Sequence, residues 1–196
     1  MAFLVAAVAV RWRLQRTPGV SWRNGWDLWL LTGLFAAIGI GSGLWHSFAT
    51  SWGLLADVLP ITLFINLYLL VFGWRVLGLR RFRLVLLWLA YQGASFGLLA
   101  LVPVDALNGT VGYLPALTFL LVFAAWLYRQ ERPLWRTIAL AAGLFAVSLT
   151  FRTLDAAVCS LVPLGTHFLW HLLNALVLFL LLDSLRQRGR YASVAR

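Results

Sequence analysis

The sequence predicts an all-α fold, a polytopic bundle of transmembrane helices. Of its 196 residues, 62% are hydrophobic and only 11% are charged, whereas soluble domains are about half apolar and a quarter charged. Runs of about 20 apolar residues recur along the chain, and that length crosses a hydrocarbon core of roughly 30 Å as a helix. The segments between the runs are too short for a soluble domain, so we expect a single membrane domain over residues 1–196.

Six full spans and one partial span follow from the positions of the apolar runs. The full spans are expected at residues 27–48, 54–73, 84–102, 113–128, 137–155 and 164–183. Residues 1–10 are also apolar but too few to cross a bilayer. We interpret them as the end of a first span, which gives a seven-span type of bundle with an incomplete first span and a truncated or mis-assigned start. Residues 184–196 are expected to form a basic tail.

The arginines predict the orientation in the membrane. Fifteen of them lie in residues 11–23, 75–83, 129–136 and 186–196, and only Arg152 falls on the other side. The positive-inside rule then places those segments and the C-terminus in the cytoplasm. Because the net charge of +10 follows this pattern, we expect no nucleic-acid partner. All 16 basic residues are arginine, which favours a GC-rich bacterial source and hence the inner membrane.

The opposite side of the predicted bundle gathers the ionisable residues. His46 lies near the end of one expected span and Asp57 near the start of the next. Asp155 lies at the end of its span, and His167 and His171 follow in the outer half of the last one. Ionisable side chains inside membrane helices are costly, so their presence indicates a functional site.

The segment "HFLWH" places His167 and His171 at positions i and i+4, on one face of a helix. Two imidazoles at this spacing suit one zinc ion, and His46 could supply a third nitrogen. Ser42 lies one turn before His46 on the same face, and Asp57 follows His46 by eleven residues. Across a short turn, Asp57 could take a proton from water activated by the metal.

Other interpretations of the same residues stay open at this point. A pair of histidines on a span can be a structural hydrogen-bonded cluster, or it can ligate haem or another metal. Ser42 suits close packing of membrane helices, and Asp57 suits an N-terminal helix cap. Arg152 and Asp155 are spaced i, i+3, which predicts an ion pair closing a helix end. Alternatively, Asp155 orients a zinc-binding histidine, with Arg152 beside it.

Taken together, the segments "GSGLWH", "ADVLP", "FRTLD" and "GTHFLWHLLNA" resemble the alkaline ceramidase family, which belongs to a wider group of seven-span membrane hydrolases that includes adiponectin-receptor-like proteins. The likeness lies in the order and spacing of these motifs over residues 39–175. The resemblance implies a zinc ion held by His46, His167 and His171, with Asp57 and Ser42 contacting its water.

The implied reaction is hydrolysis of the amide of ceramide, or of another N-acyl lipid, to a fatty acid and an amine. The family's usual acidic N-terminal segment, which binds calcium in eukaryotic members, does not precede residues 1–10, so calcium is not expected. The site would face the extracytoplasmic side and take a lipid substrate. Two further functions stay open: a non-catalytic receptor or sensor of the same fold, and a haem-binding membrane protein.

Overall fold

The protein is all-α, as the sequence predicts. In its computed structural model, the residues described are 1–160 and 164–194. Within these ranges the helices, in chain order, are α1 (Ala2–Gln15), α2 (Trp26–Phe48), α3 (Ser51–Arg75), α4 (Arg81–Leu101), a short 3-10 helix (Val111–Tyr113), α5 (Leu114–Arg129), α6 (Trp135–Val158) and α7 (His167–Val194).

Six helical segments of the described chain are long and apolar enough to cross a membrane: α2, α3, α4, the 3-10 helix together with α5 (Val111–Arg129), α6, and the part of α7 from His167 to Gln187. This confirms a multi-pass membrane protein. Helix α1 has 14 residues, which corresponds to about 21 Å at 1.5 Å per residue and is shorter than a hydrocarbon core.

Two helices extend beyond the ranges drawn from the sequence. Helix α1 continues past residue 10 to Gln15, and Leu14 in this extension is buried (1% exposed) like Phe3, Ala7 and Val10 before it. Helix α7 continues past residue 183 to Val194, through arginines and glutamine that favour helix. The expected tail at residues 184–196 is therefore helical as far as 194, and its last two residues lie outside the described ranges.

The chain divides into two compact units, and the first contains Met1–Val85 together with Leu182–Arg196. Its centre is the antiparallel pair α2 and α3. Helix α1 packs on α2, where the rings of Phe3 and Phe35 meet edge to face at 6.1 Å.

Two buried carboxylates in this first unit form structural ion pairs that the sequence pattern does not indicate. Asp27 at the start of α2 is 0% exposed and accepts hydrogen bonds from Nε and Nη2 of Arg75, which ends α3. Asp183 lies within 3.1 Å of Arg13 and 2.7 Å of Arg186. The chain thus neutralises both carboxylates with arginine from its basic segments.

The second unit covers Leu86–Leu181 and contains most of α4, all of α5 and α6, and the first half of α7. Helices α5 and α6 form an antiparallel pair. The hydroxyl of Ser148, buried on α6, donates to the carbonyl of Trp170 in the first turn of α7 at 3.1 Å. This bond fixes the start of α7 against α6.

Candidate metal centre

The connection between α2 and α3 carries Ser42, His46 and Asp57. Ala49 ends α2 in a left-handed conformation (φ 48°), and the side chain of Thr50 accepts a hydrogen bond from the backbone of Gly53 to cap α3. Because Thr50 provides this cap, Asp57 does not lie at the helix end but about two turns inside α3. The tight connection brings the end of α2 next to the start of α3.

A glycine allows this helix pair to approach closely at the level of Asp57. A Cβ atom built on Gly41 would overlap the carbonyl oxygen of Ala56 and would lie 3.0 Å from the Cα of Asp57. Pro60 lies inside α3 and has no N–H to donate, so the carbonyl of Ala56 loses its usual helical partner. Gly41 therefore packs its backbone against a carbonyl that Pro60 has released.

This close packing buries two of the predicted functional side chains. Ser42 is 7% exposed and Asp57 is 9% exposed, whereas His46, one turn after Ser42, is exposed. A buried carboxylate in a membrane helix is expensive and indicates a specific role. The sequence alone did not reveal how deeply this carboxylate is buried.

Helix α7 begins with the two remaining histidines. His167 is its first residue and His171 follows one turn later, with ring centroids 4.8 Å apart. The indole of Trp170 contacts both, at 5.0 Å from the His167 ring and 4.4 Å from the His171 ring. The i, i+4 spacing therefore puts both imidazoles on one face, as the sequence predicts, with an aromatic ring beside them.

Asp155 of α6 holds the N-terminus of α7 in place. Its Oδ1 atom accepts hydrogen bonds from the backbone N–H of Thr166 at 2.6 Å and of His167 at 2.9 Å. Its Oδ2 atom lies 3.7 Å from Nδ1 of His167. Gly165 precedes them in a left-handed conformation (φ 59°), and a Cβ there would overlap the carboxylate. Asp155 thus both caps the helix and lies beside the first histidine.

Arg152 does not form the predicted ion pair with Asp155. Within residues 1–160 and 164–194, no carboxylate lies within 4.0 Å of its guanidinium group. Asp155 instead accepts hydrogen bonds from the start of α7, while Arg152 turns toward the rings of Trp170 and Tyr113. The i, i+3 spacing gave no indication of this competition.

His167 and His171 at the start of α7 are two of the three histidines that could hold a metal ion, and His46 is the third. Tetrahedral zinc takes imidazole nitrogens at about 2.0–2.1 Å. Three imidazoles match the protein ligands of a catalytic zinc site, in which the fourth position is open to water or substrate.

We expect replacement of Asp155 to destabilise the start of α7. Asp155→Ala removes the acceptor of two backbone N–H groups and should lower the free energy of unfolding by about 1–2 kcal/mol. Asp155→Asn keeps one carbonyl oxygen and should lose less. Thermal unfolding in detergent, followed by tryptophan fluorescence, measures both. Thr150→Ala, an exposed change on the same helix, is the control, and an equal effect of both alanine variants would contradict the capping role.

No family model, curated protein or solved structure matches the chain.

Proposed function

We propose that the protein is a membrane-embedded, zinc-dependent amidase that hydrolyses the N-acyl amide of ceramide or a ceramide-like lipid. The observation that carries this proposal is the group of His46, His167 and His171, of which the last two lie on one face of α7 with ring centroids 4.8 Å apart. It belongs to a chain with six helices, among those described, that can cross a membrane. A metal site in such a chain suits a substrate that is itself a lipid.

The donor set favours zinc over other metals. Zinc takes neutral imidazole nitrogens readily, and three histidines with an open position are typical of its hydrolytic sites. The single cysteine of the sequence, Cys159, is exposed and is not part of this group. A zinc ion held there would supply Lewis acidity, which polarises a carbonyl and lowers the pKa of water.

The surrounding side chains have defined roles in this proposal. Asp57 accepts the proton of the attacking water and returns it to the nitrogen of the leaving amine. Ser42 donates a hydrogen bond to the oxygen that gains negative charge. Asp155, through its hydrogen bond to the backbone of His167, keeps the first histidine oriented. Burial of Ser42 and Asp57 supports these roles because water competes less at buried groups.

The proposal includes membership in the alkaline ceramidase family, with its seven-span type of bundle and with α1 as part of a first span. The order of Ser42, His46, Asp57, His167 and His171 supports it. From the arginine distribution we propose a bacterial inner-membrane protein with a cytoplasmic C-terminus and an extracytoplasmic site.

Metal analysis tests the proposal directly. We expect about one zinc ion per chain in detergent-purified protein by mass spectrometry, since three imidazoles form a complete protein ligand set. His46→Ala, His167→Ala and His171→Ala should each lose most of it. Phe168→Ala, next to His167 but exposed, is the control and should keep its zinc.

The alternative functions give different results in the same preparation. Wild-type protein that folds but contains no metal would contradict the zinc site and favour a structural histidine cluster. A Soret absorption band would instead identify a haem protein. One zinc per chain with no lipid turnover would favour a receptor or sensor of the same fold.

A further inference from the structure

Arg152 is a positive charge in a membrane-spanning helix, and the described part of the chain places no carboxylate beside it. It lies on α6 about two turns before the end of that helix. Among the described residues, no carboxylate lies within 4.0 Å of it. Its Nε atom is buried and has no hydrogen-bond partner in that same part of the chain. An uncompensated buried donor on a charged group is costly, so the arrangement needs a physical reason.

The guanidinium group is held firmly by its surroundings. Its central carbon lies 4.7 Å from the ring centroid of Trp170 and 5.5 Å from that of Tyr113. A Cβ on Gly109, which has a φ of 73°, would lie 2.9 Å from Nη2 of Arg152. The side chain of Asn108 donates to the carbonyl of Arg152 at 2.8 Å and so ties this turn to α6. Arg152 is therefore fixed in place before any ligand arrives.

The indole of Trp170, next to Arg152, also has a buried donor, Nε1, that lacks an acceptor in the described ranges. Two neighbouring side chains thus each carry a buried N–H donor that has no acceptor in the described ranges, and one of the donors belongs to a positively charged group. A guanidinium group binds phosphate or carboxylate through two parallel hydrogen bonds, and its planar shape suits stacking on aromatic rings.

Arg152 is separated from two of the proposed metal ligands by a single aromatic ring. The indole of Trp170 contacts Arg152 on one hand and the rings of His167 and His171 on the other. A group bound by Arg152 would therefore belong to the same small region of a lipid as a group at the histidines. In an N-acyl lipid, that region is the head group next to the amide.

We propose that Arg152 binds an acidic group, a phosphate or a carboxylate, on the head group of the lipid substrate. This inference deepens the proposed amidase function and rests on it, because it defines the substrate class as acidic N-acyl lipids rather than neutral ceramide. The carboxylate of a released fatty acid offers the same chemistry, so the experiment must distinguish the two sources.

The experiment compares the binding of matched lipids to purified, metal-containing protein in a neutral detergent. The probes are N-oleoylglycine, its uncharged methyl ester, an N-acyl lipid with a head-group phosphate, and free oleate. Dissociation constants come from ligand-dependent shifts in thermal unfolding, and mass spectrometry of the same samples measures release of oleate. The variants are Arg152→Gln and Arg152→Lys. Arg136→Gln is the control, since Arg136 lies on the same helix and over an indole ring but is exposed.

We expect the wild-type protein and Arg136→Gln to bind N-oleoylglycine at least about tenfold more tightly than the ester, as charge-assisted hydrogen bonds predict. Arg152→Gln should lose this preference. If that variant does not fold, Arg152→Lys provides the test. Lysine keeps the positive charge but lacks the planar guanidinium group, so the preference for N-oleoylglycine over its ester should fall to less than about threefold.

Three results would overturn the inference: equal affinity of the wild type for the acid and the ester, an undiminished preference in the Arg152 variants, or equally tight binding of free oleate. A clear preference without any release of oleate would instead count against the amidase function and leave acidic-lipid recognition by Arg152 intact.

Discussion

Asp57→Asn is expected to abolish most lipid hydrolysis while leaving zinc binding intact. Asparagine has nearly the same size as aspartate and can fill the same buried position in α3, where Asp57 is 9% exposed. It cannot accept a proton at neutral pH. Removing a general base in this way lowers the rate by about 10²–10⁴-fold. The zinc content should stay near one ion per chain, because the proposed ligands are the three histidines.

The measurement is release of a fluorescent fatty acid from an N-acyl lipid by detergent-purified protein, with zinc determined in the same sample. Asp105→Asn is the matched control, since Asp105 is an exposed aspartate in a turn, and it should retain full activity. Turnover by Asp57→Asn within about threefold of the wild-type rate would rule out Asp57 as the base. Loss of both zinc and activity would instead give Asp57 a structural role at the metal.

The helical bundle was predictable from the sequence because hydrocarbon imposes a simple requirement on every span. A run of about 20 apolar residues has few alternatives to a membrane helix. The ends of helices were less predictable, as α1 and α7 show, because arginine and glutamine are good helix formers wherever lipid or water surrounds them. The ion pair of Asp27 could not be anticipated either, since its partner Arg75 lies 48 residues away and only tertiary packing brings them together.

The histidine pair in α7 followed directly from its i, i+4 spacing, but the supporting contacts did not. Nothing in the sequence shows that Asp155 reaches past Arg152 to cap α7 at Thr166 and His167. The strongest available signal was Gly165, because a glycine just before a helix can mark a position that a Cβ would block. Arg152 likewise looked like half of an ion pair, whereas in the structure its guanidinium group contacts aromatic rings and, among residues 1–160 and 164–194, no carboxylate.

Gly41→Ala should be among the most damaging small substitutions in the chain. The added methyl group would overlap the carbonyl oxygen of Ala56 in the neighbouring helix, so α2 and α3 would have to move apart. Backbone atoms cannot turn aside as a flexible side chain can, and overpacking of this kind costs about 1–3 kcal/mol, occasionally more. The same movement would shift Ser42 and Asp57, which flank the contact, so activity should fall further than stability alone explains.

Gly43→Ala provides the matched control, two residues further along the same helix. A Cβ at Gly43 would meet nothing within 4 Å, and alanine favours a helix over glycine by up to about 1 kcal/mol. In detergent, Gly41→Ala should therefore unfold at a clearly lower temperature than the wild type, whereas Gly43→Ala should unfold at the same temperature or higher. Equal unfolding temperatures for the two variants would mean that α2 and α3 do not approach at Gly41 as closely as the fold requires. The carbonyl of Ala56, which Pro60 leaves without a helical partner, would then contact something other than the backbone of Gly41.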